Sequence, residues 1–237
     1  MQRLILKISG EALSDNGIGI SVEKVNNIAQ EIKQLYELGD IQLGIICGAG
    51  NIWRGRDAMT NGMDRTTADY MGMLGTILNC VALQSSLEKL GLDTRVMTSI
   101  TVPELAEPYI RRKAISHMTK GRICIFGGGT GNPFFSTDTT AALRASELGC
   151  SRILMAKNGT DGVYDSDPRK NKDAKRFDVI THQELLERKL EVMDLTASTL
   201  CASNNIDIFV FDMNVKGNIK RAANDLSIGT LVTTKQK

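Results

Sequence analysis

Short, continuous apolar runs recur along the 237-residue chain, with helix-like segments between them. The first run is "RLILKI" (3–8), and the segment at 21–39 that follows it keeps a helical period. Ser21 is suited to cap this helix and Gly39 to end it. A second long helical stretch lies around 71–90, and further apolar runs of strand length lie at 41–47, 94–99, 122–126, 152–156, 206–211 and 230–234.

The pattern of these runs predicts the fold class. Continuous rather than alternating apolar strands indicate a sheet that is covered on both faces, and strands that alternate with helices form parallel βαβ units. We therefore predict a three-layer αβα sandwich with a mainly parallel central sheet. The length suits one large α/β domain or two small lobes. Such sheets bind ligands beyond the carboxyl ends of their strands, so the residues after each strand carry the functional information.

Charge argues against nucleic acid as a partner. The formal net charge is only +2, and a nucleic-acid binder of this size usually has a stronger basic bias on one face. The one basic cluster, "PRKNKDAKR" (168–176), also contains Pro, Asn and Asp, which favours a solvated loop over an anion contact.

The cysteines indicate a reducing compartment. The five are scattered and none forms a C-x-x-C pair, which argues against both a disulfide framework and a structural zinc site. No apolar stretch approaches the roughly 18 residues that a membrane helix needs, and the N-terminus lacks a signal-peptide layout. We expect a cytoplasmic protein that does not bind membranes.

The first strand ends in "KISGEAL". Lys7 is placed to reach a phosphate as a compact point charge, and Ser9 and Gly10 allow backbone N–H groups to approach an anion closely. Taken alone, a lysine at this position is more often a solvated residue at the sheet edge.

The second strand is followed by "CGAGNIWRGRD" (47–57). Gly48, Ala49 and Gly50 are small enough for backbone contact with an anion, and Arg54 follows within reach. The dinucleotide fingerprint G-x-G-x-x-G is absent, because Trp53 stands where its third glycine is required. An ordinary glycine turn is the alternative.

The run "GGGTGNPFFSTD" (127–138) follows the strand at 122–126. It combines freed N–H groups with polar side chains and leads into a helix that we expect to start near Asp138. Such a helix N-terminus provides an anion site. The aromatic pair in this run, Phe134 and Phe135, is more typical of a core than of ligand recognition, although one ring could border a flat ligand.

The segment "AKNGTDGVYDSDP" (156–168) follows the next strand and reads as a strand and turn. Asp165 and Asp167 form either a common turn cluster or carboxylates that orient a lysine or a magnesium ion.

Together these strand ends predict phosphoryl transfer, which requires positioning and charge neutralisation more than covalent chemistry by the protein. The Walker pattern G-x-x-x-x-G-K-[ST] is absent, which excludes a P-loop kinase. His117 and His182 lie in helix-like surroundings without a paired nucleophile, so a hydrolase triad is poorly supported.

Eight motifs occur in the order found in one family and cover essentially the whole chain. The chain resembles the bacterial uridylate kinases of the amino acid kinase family through "LKISGEAL", "GAGNIWRG", "ADYMGMLGTILN", "GGGTGNPFFSTD", "AKNGTDGVYDSDP", "VMDLTA", "FDMN" and "GTLV". "GTGNPFF" and "ADYMGM" are more specific than any glycine turn.

The resemblance implies transfer of the γ-phosphate of ATP to UMP, with Mg²⁺ carried by ATP. Lys7 and Arg54 would stabilise charge on the transferred group, and Asp138 would order Lys7 or the metal. No residue is assigned as a dedicated metal ligand. ATP would contact Lys7, Ser9, Gly10, Gly50, Arg54, Asn158, Tyr164 and Asp167. UMP would contact Ala49, Asp69, Thr130, Gly131, Asn132, Pro133, Phe134, Phe135, Ser136 and Thr137.

The resemblance also implies a single domain, 1–237, with a UMP-binding part at about 1–150 and an ATP-binding part at 151–237. It further implies a homohexamer built as a trimer of dimers, with GTP and UTP as effectors. Two departures stand out: Ala49 replaces a common glycine, which requires a negative φ, and "AKNGTDG" is one variant of the adenosine-side motif.

Three alternatives remain. A kinase of the same fold that phosphorylates a carboxylate or carbamate should lack "GTGNPFF" and "ADYMGM". A nucleotide-binding regulatory protein without turnover should have lost Lys7 or Arg54, and both are present. A dehydrogenase is disfavoured because its dinucleotide-binding glycine motif should follow the first strand, and no such motif stands there.

Overall fold

One nine-stranded sheet runs through the molecule. The computed structural model describes residues 1–168, 170–190 and 192–234. The strands are β1 (Gln2–Ile8), β2 (Ile41–Cys47), β3 (Thr94–Thr98), β4 (Glu107–Pro108), β5 (Ile123–Gly127), β6 (Arg152–Lys157), β7 (Val179–Thr181), β8 (Asp207–Asp212) and β9 (Gly229–Thr233).

The strand order, β4-β3-β5-β2-β1-β6-β8-β9-β7, places β1 near the centre. All neighbouring strands pair in parallel except β8 and β9, which are antiparallel. The chain first builds the β2 side of β1 and then crosses to the other side with β6. This change of direction next to β1 is where open α/β sheets bind their ligands.

Helices cover both faces of the sheet. They are α1 (Val22–Tyr36), α2 (Gly55–Thr60), α3 (Arg65–Lys89), α4 (Arg111–Thr119), α5 (Thr137–Leu148), α6 (His182–Glu187), α7 (Leu195–Ser203) and α8 (Asn218–Arg221), with short 3₁₀ turns at Gly10–Leu13 and Leu226–Ile228. One buried cluster joins the sheet to α1, α3 and α8, and a second joins it to α4, α5, α6 and α7.

Local sequence explains how α1 and α5 begin and end. The Ser21 side chain accepts a hydrogen bond from Lys24 N at the start of α1, and the Ser136 side chain caps α5. Helix α5 ends at Gly149, whose φ of 65° is the left-handed conformation that glycine adopts readily. These caps set where each helix begins relative to the strand that precedes it.

The predicted three-layer fold is confirmed, with a mainly parallel sheet as expected. Two short strands were missed: β4 and β7 have two and three residues, too few for a periodic signal. The strand expected in "DGVYDSDP" was wrong, because only a single bridge, Tyr164 to Arg176, forms there. None of the described helices is long and apolar enough to cross a membrane.

The cysteines lie in the core, and the basic cluster lies mostly at the surface. All five cysteines are free and buried. Most described residues of the basic cluster are exposed, as expected for a loop, but Arg176 is half-buried and ion-paired with Asp161 at 2.9 Å. Arg169 lies outside the described residues.

Gly229 provides a test of the β8–β9 pairing. A Cβ added at Gly229 would lie 2.1 Å from Val210 O, which is backbone and cannot rotate away. We expect Gly229→Ala to lower the free energy of unfolding by about 2–3 kcal/mol, measured by denaturant titration. Thr234→Ala, at the exposed end of the described chain, is the control and should change stability by less than about 0.5 kcal/mol. Equal stability of the two variants would contradict the pairing.

Candidate active site

The four loops singled out in the sequence follow four adjacent strands. Their strands are β1, β2, β5 and β6, which lie in the order β5-β2-β1-β6. Because these strands are parallel, their carboxyl ends meet at one edge of the sheet. The convergence predicted from the sequence is therefore present.

Lys7 at the end of β1 forms an ion pair with Asp138 in the first turn of α5. The Nζ–Oδ1 distance is 2.7 Å, and only 12% and 18% of the two side chains are exposed. This pair joins the first strand to the helix that follows the glycine run. Lys7 is thus a positive charge held beside a helix N-terminus, which is itself positive.

The loops after β1 and β2 touch through their backbones. A Cβ added at Gly10 would lie 2.6 Å from both Gly48 O and Asn51 Oδ1, so only glycine fits. A Cβ added at Gly48 would lie 3.1 Å from Gly10 N and 3.7 Å from Thr137 Oγ1. The first, second and third loops therefore approach one point. Ser9 is half-buried and precedes the 3₁₀ turn, and its carbonyl accepts from Ala12 N.

A buried asparagine pair fixes the second loop. The side chains of Asn51 and Asn79 exchange hydrogen bonds of 3.1 and 2.8 Å. Asn79 also donates to Gly48 O, and Asn51 donates to Gly19 O. Ala49 is buried and is not among the residues with positive φ. The negative φ that an alanine needs at this position is therefore present.

Arg54 lies at the exposed side of this edge. It pairs with Glu11 at 2.7 Å, and its Nε donates to Gly50 O. A Cβ added at Gly50 would lie 3.5 Å from the Glu11 side chain. Arg54 is 54% exposed, so it is held near the site but remains open to a ligand.

The third loop forms a cradle of turns. The φ angles of Gly128, Gly129 and Gly131 are 78°, 58° and 83°. Residues other than glycine rarely adopt such positive values. Gly128 N donates to Thr76 Oγ1, and Ser99 Oγ donates to Gly129 O. Within the loop, Thr130 and Asn132 hydrogen-bond each other, and Pro133 is half-buried.

The aromatic pair at the tip of this loop is not core. Phe134 and Phe135 are 59% and 49% exposed, so the expectation of burial was wrong. Phe134 has a φ of 74°, a strained conformation for an aromatic residue, and its N–H donates to Asp69 Oδ2 at 2.7 Å. Arg65 lies 4.9 Å above the Phe134 ring. Asp69 thus links α3 to the loop, and strain of this kind concentrates at ligand-binding sites.

Ser136 and Thr137 lie where the loop becomes α5. The Ser136 hydroxyl accepts from Asp138 N and Thr139 N, and it also hydrogen-bonds the Asp194 carboxylate. Helix α5 begins at Thr137, one residue before the predicted start. Asp194 caps α7 through Ala197 N, so one carboxylate joins the starts of two helices.

The fourth loop lines a cavity of about 640 Å³. Tyr164 and Asp167 belong to its wall. Tyr164 Oη donates to Asp161 Oδ1, and this hydrogen bond raises the pKa of the phenol. Asn158 is exposed and accepts from Asn214 Nδ2. Asp165 forms the turn, accepting from Lys175 N, and this bond lowers its pKa.

Several residues of this edge were missed in the sequence: Glu11, Asn51, Asn79, Lys157 and Asp194. Asn79 gave a usable signal, because an amide inside the apolar helical stretch "GTILNCVAL" must find a buried partner. Asp194 gave a weaker sequence signal, because an aspartate directly before "LTAS" is suited to cap a helix. The Glu11–Arg54 pair gave none, since the two residues are 43 positions apart.

Comparison with known proteins places the chain in a family. The model of the amino acid kinase family matches residues 2–212. The chain belongs to the amino acid kinase family.

Solved structures of this family are similar over nearly the whole chain. The UMP kinase from Bacillus anthracis is 39% identical with a TM-score of 0.95, covering 99% of this chain and 97% of that one. The UMP kinase from Ureaplasma parvum is 40% identical with a TM-score of 0.92, covering 98% of each. The uridylate kinase from Archaeoglobus fulgidus is 26% identical with a TM-score of 0.75, covering 98% of this chain and 100% of that one.

The asparagine pair can be tested by stability. We expect Asn79→Ala to lower the free energy of unfolding by about 1–3 kcal/mol, because it leaves Gly48 O and Asn51 Oδ1 buried without their donor. Asn224→Ala, at an exposed position, is the matched control and should change stability by less than about 0.5 kcal/mol. Denaturant titration of both variants measures the difference. A neutral Asn79→Ala would show that the pair does not fix the loop.

Proposed function

We propose that this chain is a UMP kinase, which transfers the γ-phosphate of ATP to UMP and yields ADP and UDP. One observation carries the proposal: the Lys7–Asp138 pair joins the end of β1 to the glycine cradle at the start of α5. A donor phosphate on Lys7 would therefore lie beside an acceptor phosphate in the cradle. The likeness to solved UMP kinases over nearly the full length supports the choice of acceptor.

In this proposal the cradle holds UMP. Its phosphate would contact the backbone at Thr130, Gly131 and Asn132 and the N-terminus of α5. The N–H groups of Gly131 and Asn132 donate within the loop to Gly128 O and Thr130 Oγ1, so they would exchange these acceptors for the phosphate. Asp69 would lie near the ribose. The remaining acceptor contacts are Ala49, Pro133, Phe134, Phe135, Ser136 and Thr137. The half-exposed aromatic rings provide faces against which a flat base can pack.

ATP would lie on the other side of Lys7. Ser9, Gly10 and Gly50 would approach its phosphates through their backbones, and Arg54 would turn from Glu11 towards the reacting groups. The adenosine would lie along Tyr164 and Asp167, at the cavity of the fourth loop. Asn158 would contact it from a neighbouring cavity, which Asn158 lines together with Glu11 and Arg54. The UMP-binding part is then about 1–150 and the ATP-binding part 151–237 of one domain.

The chemistry needs charge more than a base. The attacking phosphate oxygen of UMP is already an anion, so no general base is required. Lys7 and Arg54 would neutralise charge that develops on the transferred group, and Asp138 would hold Lys7 in position.

Mg²⁺ would enter with ATP. Among the described residues, no group of three or more His, Cys, Asp or Glu side chains forms a metal cage. Mg²⁺ commonly binds through one or two carboxylates and the phosphates of its substrate, so the Asp138 carboxylate and the ATP phosphates would suit it. Asp138, which pairs with Lys7, is the carboxylate that would hold Lys7 or the ion, and the ion would supply further neutralisation of phosphate charge.

Lys7 and Arg54 provide the test of the proposed roles. We expect Lys7→Ala and Arg54→Ala each to lower kcat for UMP phosphorylation by about 10²–10³, the usual loss for one charged transition-state contact. Lys120→Ala is the control and should retain wild-type turnover. Lys120 lies between α4 and the start of β5, at the end of the strands remote from the site. Near-wild-type turnover of either site variant would contradict its role.

A substrate panel tests the acceptor. ADP release is measured with UMP, CMP, dUMP and small carboxylates, and we expect UMP to have the highest kcat/KM. Preference for a carboxylate would replace this function with that of a carboxylate kinase of the same fold.

We also propose that the chain forms a homohexamer in the cytoplasm, with GTP and UTP as effectors. The resemblance to bacterial uridylate kinases suggests the assembly. Helix α3 supplies a candidate self-association stripe, because Tyr70, Met71, Leu74 and Leu78 are large, apolar or aromatic, and 36–55% exposed.

The stripe can be tested by size. We expect the double variant Leu74→Glu, Leu78→Glu to shift the protein to a smaller species in light scattering, because it places charge in an apolar contact. Leu38→Glu, an exposed leucine after α1, should keep the wild-type mass. An unchanged mass for the double variant would exclude this stripe as a subunit contact.

A further inference from the structure

Lys157, which the roles above do not use, lies at the same sheet edge as Lys7. It ends β6, which pairs with β1 in a register that places Lys7 opposite Met155. Since side chains two residues apart on a strand share a face, Lys157 lies on the same face as Met155 and Lys7. That face carries α5 and α7, because Met155 belongs to the cluster that they cover.

The Lys157 ammonium group donates a hydrogen bond to an uncharged partner, Val192 O. Among the described residues, Val192 O is its only hydrogen-bond acceptor, although an ammonium group has three donors. Burial lowers the pKa of Lys157, and the charge of Lys7 lowers it further, while Asp138 opposes both. A carbonyl does not neutralise a cation, so the charge of this partly buried side chain is incompletely compensated.

Lys157 also lies between two cavities. It lines the cavity of about 640 Å³ that contains Tyr164 and Asp167, and also a second cavity of about 780 Å³. The second is bounded by Asp194 and Met193 among others. Because β6 is the neighbour of β1, Lys157 lies on the side of the fourth loop that faces the Lys7–Asp138 pair, and both charges act on it.

We propose that Lys157 is a third cation for the phosphates of ATP, moving from Val192 O onto the phosphate chain when the nucleotide binds. This inference rests on the proposed kinase function and names a binding residue for its donor substrate. A desolvated ammonium group gains most from an anion that replaces its lost water, because an ion pair is stronger away from bulk solvent. A triphosphate supplies that anion where the adenosine groove meets Lys7.

The charged groups around Lys157 come from six elements. Asp212 stands opposite Lys157 on β8, which pairs with β6. Lys7 projects from β1 and Asp138 from α5, and both act on its charge. Asp194 precedes α7 and Lys189 follows α6, and they line the second cavity with it. Asp161 and Asp167, from the fourth loop, line the first cavity.

Lys157→Met and Lys157→Arg test the inference by kinetics. We expect Lys157→Met to raise KM for ATP about 10- to 100-fold, the usual value of a hydrogen bond to a charged group, while KM for UMP changes less than about twofold. Lys157→Arg should restore most of the ATP affinity, since it keeps the charge. Lys120→Met makes the same change at the end of the strands remote from the site and should leave both constants unchanged.

The pH dependence of kcat/KM for ATP gives a second readout. The lowered pKa means that Lys157 loses its charge at a lower pH than an ordinary lysine. The alkaline decline of kcat/KM should therefore move to higher pH in Lys157→Arg, whose guanidinium stays protonated. If kcat/KM for ATP declined at the same alkaline pH in the wild type and in Lys157→Arg, the inference would be contradicted.

Direct titration separates this inference from the proposed function. Calorimetry with a non-hydrolysable ATP analogue, without UMP, should show weaker binding to Lys157→Met than to the wild type. Equal affinities, or equal losses for ATP and UMP with a lowered Tm, would overturn the inference and leave Lys157 a structural link to Val192. Absence of UMP phosphorylation by the wild type would overturn the kinase function, while the analogue titration would still decide the role of Lys157.

Discussion

The ion pair between Lys7 and Asp138 connects the two halves of the proposed reaction. It is largely buried, so each charge depends on the other for its stability, and removal of one leaves the second uncompensated. The pair forms only because α5 starts immediately beside the carboxyl end of β1. The parallel order of β5, β2, β1 and β6 creates that placement, and the caps at Ser136 and Gly149 fix the length of α5. Sheet topology thus determines the electrostatics of the site.

Close backbone contacts determine its shape. Gly10 and Gly48 approach each other so tightly that any side chain at Gly10 would meet backbone atoms. The buried Asn51–Asn79 pair holds the second loop, and Asp69 holds the strained backbone of Phe134. Rigid loops of this kind suit phosphoryl transfer, in which catalysis depends on positioning and preset charge.

Local patterns predicted much of this molecule. The strand-length runs, the caps and the glycine loops are short-range features, so the sheet and its four loops could be anticipated, as could Lys7 and Arg54 as candidate residues. Partners distant in sequence could not: Glu11 with Arg54 and Asp194 with Ser136 meet only in the folded chain. The aromatic pair was misjudged because Phe134 and Phe135 carry the hydrophobicity of core residues, and loop geometry turns them to the surface. In the sequence, Lys157 is only a polar residue at the end of an apolar strand. The cavities beside it form in the folded chain, so its proposed role could not be predicted from the sequence.

The central proposal is that the glycine run at 127–131 holds the acceptor phosphate and not ATP. A crystal structure with UMP and a non-hydrolysable ATP analogue tests this assignment most directly. We predict that the UMP phosphate lies on the backbone of this run and at the start of α5, with the triphosphate against Lys7 and the adenosine at the fourth loop. A triphosphate seated in the glycine run, with UMP elsewhere, would contradict it.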